Sequence, residues 1–157
     1  MTQTISIIPF EEKYSTDFYK LNVEWLQRLF YVEPHDEEVL SQAKKYIIDN
    51  GGHIFFAKLD TQIVGTVALI KMEDRIFELS KMAVSPALRG QKIGQQLLQH
   101  SLDFAKAQQF EKLILYSNRK LHNALHIYQK YGFVEIPIEP NNPYERGDIK
   151  MELVFID

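Results

Sequence analysis

The sequence predicts a mixed α/β domain: a mostly antiparallel sheet of about seven strands flanked by about four helices. Two observations carry most of this. Strand-type runs at 53–59, 62–72 and 74–84 follow one another with only short turns between them, as consecutive antiparallel strands do. The spacing then changes, and Ile93, Leu97, Leu98, Leu102 and Ala105 recur as on one face of a helix.

In chain order, Thr4–Ile8 is a short β-type run closed by Pro9, which starts the sheet. Residues 11–31 read as a helix that is apolar on several sides, through Phe18, Leu21, Val23, Trp25, Leu26, Leu29 and Phe30. Residues 36–49 read as a second, amphipathic helix with acidic residues in its first turn, ended by Asn50-Gly51-Gly52. The runs 53–59 and 62–72 form a hairpin-like pair about Asp60-Thr61. In 74–84, Ile76, Glu78, Ser80, Met82 and Val84 alternate to one face, with Phe77, Leu79, Lys81 and Ala83 on the other. Pro86 stops that strand, and the next helix runs from about residue 92–94 to Gln108. KLILYS at 112–117 is nearly continuous in apolar residues, as in a strand covered on both faces. A helix over 121–131 ends at Gly132, a strand follows over 133–136, and a polar, Pro-rich loop at 137–148 leads to a last strand over 149–156.

At 157 residues, with 45% hydrophobic and 25% charged residues, the chain has the size and balance of one globular domain spanning 1–157. A net charge of −3 and the lack of a basic stripe disfavour nucleic acid and anionic membrane as partners. There is no cysteine, hence no disulfide, thiolate metal site or cysteine nucleophile. No apolar run approaches about 18 residues and no signal-peptide pattern opens the chain, so a cytoplasmic protein is expected. His122 and His126 are spaced i, i+4, yet no third ligand accompanies them, so no metal is expected.

The segment RGQKIG, residues 89–94, lies between a strand and a helix N-terminus. Unpaired N–H groups and the positive end of the helix dipole make such a place suit a phosphate. It matches neither G-x-G-x-x-G nor G-x-x-x-x-G-K-[ST]. Together, KMAVSP, RGQKIG, LHNALHIYQKYGF and a final IKMEL strand resemble, in this order, the GNAT superfamily of N-acetyltransferases. The resemblance covers nearly the whole chain and is best from Glu78 to Phe133.

It implies acetyl-CoA as acetyl donor and a splayed neighbour strand. Backbone groups of Arg89, Gly90, Gln91, Lys92, Ile93 and Gly94 would hold the pyrophosphate. The edge Met82, Ala83, Val84 would pair with the pantetheine arm. Asn123 would hydrogen-bond the arm or the phosphate region, and Tyr128 would protonate the departing thiolate. Lys92 departs from the pattern by standing where the family most often has glycine; since positive φ is costly for lysine, a helical conformation is expected there.

The chemistry also needs a proton acceptor, because an ammonium with a pKa of about 10 cannot attack a thioester. Glu78, on a largely apolar strand, is the candidate base, and an N–H near Ala83 the candidate oxyanion donor. Ordinary alternatives stand beside these roles: Glu78 paired with a basic residue across the sheet, Tyr128 as a core residue, Asn123 satisfying local backbone. The resemblance places the acceptor near the first two helices, which makes Trp25, Arg28, Tyr31 and His35 candidate acceptor residues. Tyr144, Glu145 and Arg146 in the late loop form a second such group. Arg28 or Arg146 would suit a substrate carboxylate.

The expected function is acetyl transfer to a primary amine of a small molecule or amino-acid-like metabolite by direct attack. Protein or peptide N-acetylation and a non-catalytic acyl-CoA-binding module are the alternatives. Pairing through the late strands, common in the family, makes a homodimer an option.

Overall fold

The computed structural model describes residues 4–88 and 90–155; Arg89 of the phosphate loop and Ile156, the expected end of the last strand, lie outside them. Seven strands form one sheet: β1 (Ile5–Pro9), β2 (His53–Leu59), β3 (Gln62–Glu73), β4 (Ile76–Val84), β5 (Lys112–Ser117), β6 (Val134–Ile136) and β7 (Ile149–Val154). Their order is β1-β2-β3-β4-β5-β7-β6, and only β4 and β5 run parallel. Among the described residues, four α-helices cover the sheet: α1 (Ser15–Leu29), α2 (Pro34–Ser41), α3 (Ile93–Ala107) and α4 (His122–Lys130). The predicted architecture holds.

Both faces of the central strands are buried, which is why β2 reads IFFA without polar interruption. Phe55, Ala57 and Leu59 face the cluster that holds Ile93, Leu97, Leu98, Leu102 and Ala105 of α3. Ile54 and Phe56 face the other, which holds Phe18 and Leu26 of α1 with Val39 and Leu40 of α2. Burying each such Leu or Phe is worth about 1.5–3 kcal/mol. α3 lies so close to the sheet that a Cβ on Gly65 would come within 3.1 Å of Leu97 Cδ1 and 3.2 Å of Ile93 Cγ2. Any side chain there would make Leu97 and Ile93 give by a few tenths of an ångström.

Several boundaries differ from those expected. The first helix begins as a 3-10 turn at Glu12–Tyr14. Pro9 lies within β1, opposite Phe55, which an edge strand tolerates. The second helix starts earlier, because Pro34 takes a first-turn position and Glu33 and Asp36 close a reciprocal capping box. It then breaks at Gln42 and resumes as a π-turn, Lys44–Ile48. The break and the wider turn keep Leu40, Ala43 and Ile47 in one cluster. β4 begins at Ile76 rather than 74, after a turn with Arg75 at φ 67°.

The largest correction concerns the faces of β4. Thr66 pairs with Ala83 and Ala68 with Ser80, so Lys81 and Met82 together oppose the single residue Val67. This is a β-bulge, with Lys81 at φ 55°. The extra residue flips the alternation: Met82 and Val84 pack on the α3 side with Phe77 and Leu79, away from Glu78.

Candidate active site

The parallel pairing of β4 with β5 stops at Glu78 opposite Ile114. Beyond it the strands diverge, and the gap opens into a cavity of about 410 Å³. Leu79 to Val84 of β4 form one wall and Tyr116, Ser117 and Asn118 the other; α4 contributes Ala124, Ile127 and Tyr128, and α1 contributes Asn22, Trp25 and Leu26. Tyr144 and Arg146 of the loop before β7 close one end, and Gly94, at the start of α3, borders the other.

At the α3 end no side chain caps the helix, so the N–H groups of its first turn are left for a ligand. Gly90 has φ 88°, and Lys92 has φ 59° and ψ 26°, left-handed and not helical as expected. The loop holds Lys92 in the conformation that glycine takes most easily, and successive N–H groups in such a turn form an anion-binding nest. Lys92→Gly should therefore stabilise the fold by up to about 1 kcal/mol, seen as a melting temperature raised by about 2–4 °C. A loss of stability would show that the lysine side chain holds the loop. Ile93 is buried in the core and offers only backbone, while Gln91 and Lys92 are exposed.

At the other end lies a buried polar cluster. Glu78 is 4% exposed and sits just behind the wall. Its Oε2 accepts a 2.6 Å hydrogen bond from the Tyr144 hydroxyl, which lies 3.2 Å from Ser80 Oγ; Tyr144 and Ser80 both line the cavity. Burial pushes the Glu78 carboxyl above its ordinary range, against the opposing effects of the Tyr144 bond and Lys81. Burial and then Glu78 push the Tyr144 hydroxyl well up.

The bulge brings Lys81 to this side, with its Nζ 3.5 Å from Asp36 Oδ1 and 4.8 Å from the Tyr144 ring centre. Arg146 Nη1 donates to Glu33 Oε2 and to Asp36 Oδ2, each at 2.7 Å, and Nη2 to Asp36 Oδ1 at 3.1 Å. Burial pushes Asp36 up, but the bonds and charge of Arg146 hold its carboxyl below the usual value. Burial pushes the Lys81 ammonium down.

Tyr128 stands on α4 in the cavity wall, with its ring 5.8 Å from Phe133. Burial pushes its hydroxyl up to about 12, so it keeps its proton at neutral pH. Residues 121–133 thus carry Tyr128 to the cavity, whereas Asn123 is exposed on another side of the helix. The helical face formed by Leu121, Ala124 and Tyr128 excludes it, and the asparagine in the wall is Asn118.

Of the candidate acceptor residues, Trp25, Tyr144 and Arg146 line the cavity. Arg28 instead pairs with Glu24 at 3.0 Å, and Tyr31 and His35 are exposed outside the wall. Ser80, Glu33, Asp36 and Lys81 are the members of the cluster that sequence reasoning did not single out.

Residues 16–133 match the Acetyltransferase (GNAT) family. The chain belongs to that family. It is 30% identical to N-acetyltransferase 8 of Rattus norvegicus over 95 residues, 57% of this chain and 43% of that protein. The chain therefore spans less than half the length of that relative. Its fold is that of a GNAT-family acetyltransferase from Staphylococcus aureus Mu50, with a TM-score of 0.83, 22% identity, and 95% and 98% of the two chains covered. A GNAT acetyltransferase from Elizabethkingia anophelis, solved with acetyl-CoA bound, gives a TM-score of 0.73 at 24% identity over 96% of this chain and 98% of that one. Among the described residues of this GNAT chain, no helix is long and apolar enough to cross a membrane.

Proposed function

We propose that this chain, read as one acetyltransferase domain over 1–157, transfers the acetyl group of acetyl-CoA to a primary amine of a small molecule by direct attack. The observation that carries this reading is the continuity of one cavity, from the uncapped start of α3, along the β4 edge left free by the splay, to the Ser80–Tyr144–Glu78 hydroxyl–carboxylate chain.

These features fit the donor. The N–H groups of residues 90–94 suit its pyrophosphate, and a free strand edge suits its amide-bearing arm. Bound there, acetyl-CoA would supply an acetyl thioester. Ser80 and Tyr144 present hydroxyls to the cavity and connect them to Glu78, whose raised affinity for protons fits it to take one from an ammonium near neutral pH. The Tyr128 hydroxyl holds a proton that a leaving thiolate would accept. The bulge takes Lys81 and Met82 out of one-to-one register with β3, which favours a backbone N–H there, next to Ala83, as the oxyanion donor.

A small acceptor is favoured over a protein by a bridge beside the cavity wall at Phe30. Lys120 Nζ donates to the Leu29 carbonyl at 2.7 Å and lies 4.0 Å from the Phe30 ring centre, bridging α1 to the turn before α4. The carboxylates of the acidic run are also engaged within the chain. Glu33 and Asp36 turn to Arg146, while Glu37 and Glu38 accept from Tyr19 and Tyr46.

Thiol release from acetyl-CoA against a panel of small amines tests the reading. Release that depends on the amine, with intersecting initial-rate lines, is expected for direct attack. Parallel lines with acetylated enzyme, or release with no amine class, would overturn it.

A further inference from the structure

We infer that Lys81 is the residue that reads the acceptor: it takes a hydrogen-bonding oxygen carried next to the amine, as in an amino acid or its amide. This rests on the transferase reading above and narrows it.

The Lys81 side chain is 4% exposed, lines the cavity, and has no hydrogen-bond partner for its Nζ among the described residues. The carboxylate nearest it among the described ion pairs is Asp36 at 3.5 Å, whose oxygens already accept from Arg146 and from the Glu33 N–H. A buried ammonium with no satisfied donor is costly, and so is the left-handed backbone that carries it. Both are accounted for by a ligand oxygen arriving from the cavity.

The two arginines that were candidates for the acceptor are committed elsewhere. Arg146 is bound by Glu33 and Asp36, and Arg28 pairs with Glu24 outside the wall. The groups that face Lys81 are Asp36 from α2, Glu78 from β4, and Tyr144 and Arg146 from the late loop. An α-carboxylate or α-amide oxygen lies within about 4 Å of its own amine nitrogen. An acceptor held at Lys81 thus keeps its amine beside the Tyr144 and Ser80 hydroxyls that lead to Glu78. With a carboxylate as the oxygen, the ion pair would also hold the lysine charged.

The test compares matched acceptors: 2-phenylethylamine, L-phenylalaninamide and L-phenylalanine, and the corresponding set built on leucine. In the wild-type enzyme the acid or the amide should exceed the bare amine in kcat/KM by about tenfold or more. In Lys81→Met that ratio should collapse toward one. A ratio on a single preparation does not depend on how much of the variant folds, and Lys81→Arg should restore part of it.

Preference for the acid assigns the oxygen to a carboxylate, and equal use of acid and amide to a carbonyl. A bare amine used as well as its partners, or a ratio unchanged in Lys81→Met, would overturn the inference. Binding is read separately from the melting temperature with coenzyme A present. Selective binding of acid or amide without thiol release would leave the role of Lys81 standing and overturn the transferase reading.

Discussion

Glu78→Gln should lower kcat by about 100-fold or more and erase the acidic limb of the pH–rate profile. In the wild type that limb should lie above the ordinary carboxylate range, because burial raises the Glu78 pKa from 4.5. Activity rises as the proton leaves. Stability should move the other way. The folded state keeps this proton to higher pH than the unfolded chain does, so Glu78's contribution is full below its unfolded pKa and is lost as pH rises through the shifted value. Glutamine stays neutral and still accepts from the Tyr144 hydroxyl. The variant should therefore melt higher than the wild type at pH 8, and the gap should close toward pH 4. Melting curves across that range check the stability half. A limb that persists unshifted in the variant would assign the base elsewhere.

Tyr128→Phe should cost about 100-fold in kcat while leaving coenzyme A affinity within about threefold of wild type, because only the hydroxyl is lost from an otherwise apolar wall. Its raised pKa of about 12 keeps it an acid across the working range, so a basic limb in the wild-type profile belongs to another group. The effect should shrink with acyl donors whose leaving thiol is more acidic. Unchanged turnover would make Tyr128 a packing residue against Phe133.

The α3 end of the cavity was legible because its signals are local. Pro86, the Gly-containing loop and the shift from strand to helix spacing mark the β4–α3 turn within a dozen residues, and the splay follows from the resemblance. The polar end of the cavity depends on contacts across the chain. Arg146 reaches Asp36 over 110 positions and Glu33 over 113, and Tyr144 reaches Glu78 over 66. No periodicity encodes such pairs. The β4 bulge is hidden for a different reason, since ELSKMAV also fits strict alternation. The clue was Lys81 itself, a lysine assigned to the same buried face as Phe77, Leu79 and Ala83. A charge on a core face signals either exposure or a change of register, and here it was the register. Lys92 shows the converse: a residue's own preference for φ < 0 yielded to a turn that the strand and helix on either side require.

The most direct test of the central claim is a thermal-shift titration with coenzyme A and acetyl-CoA. A ligand held only by the folded protein raises the melting temperature, by the equivalent of about 2.7 kcal/mol at a hundred times its dissociation constant. A saturable rise with both, weakened when the 90–94 loop is disrupted, is the result predicted by a donor site running from α3 along β4. No shift at millimolar ligand would contradict it.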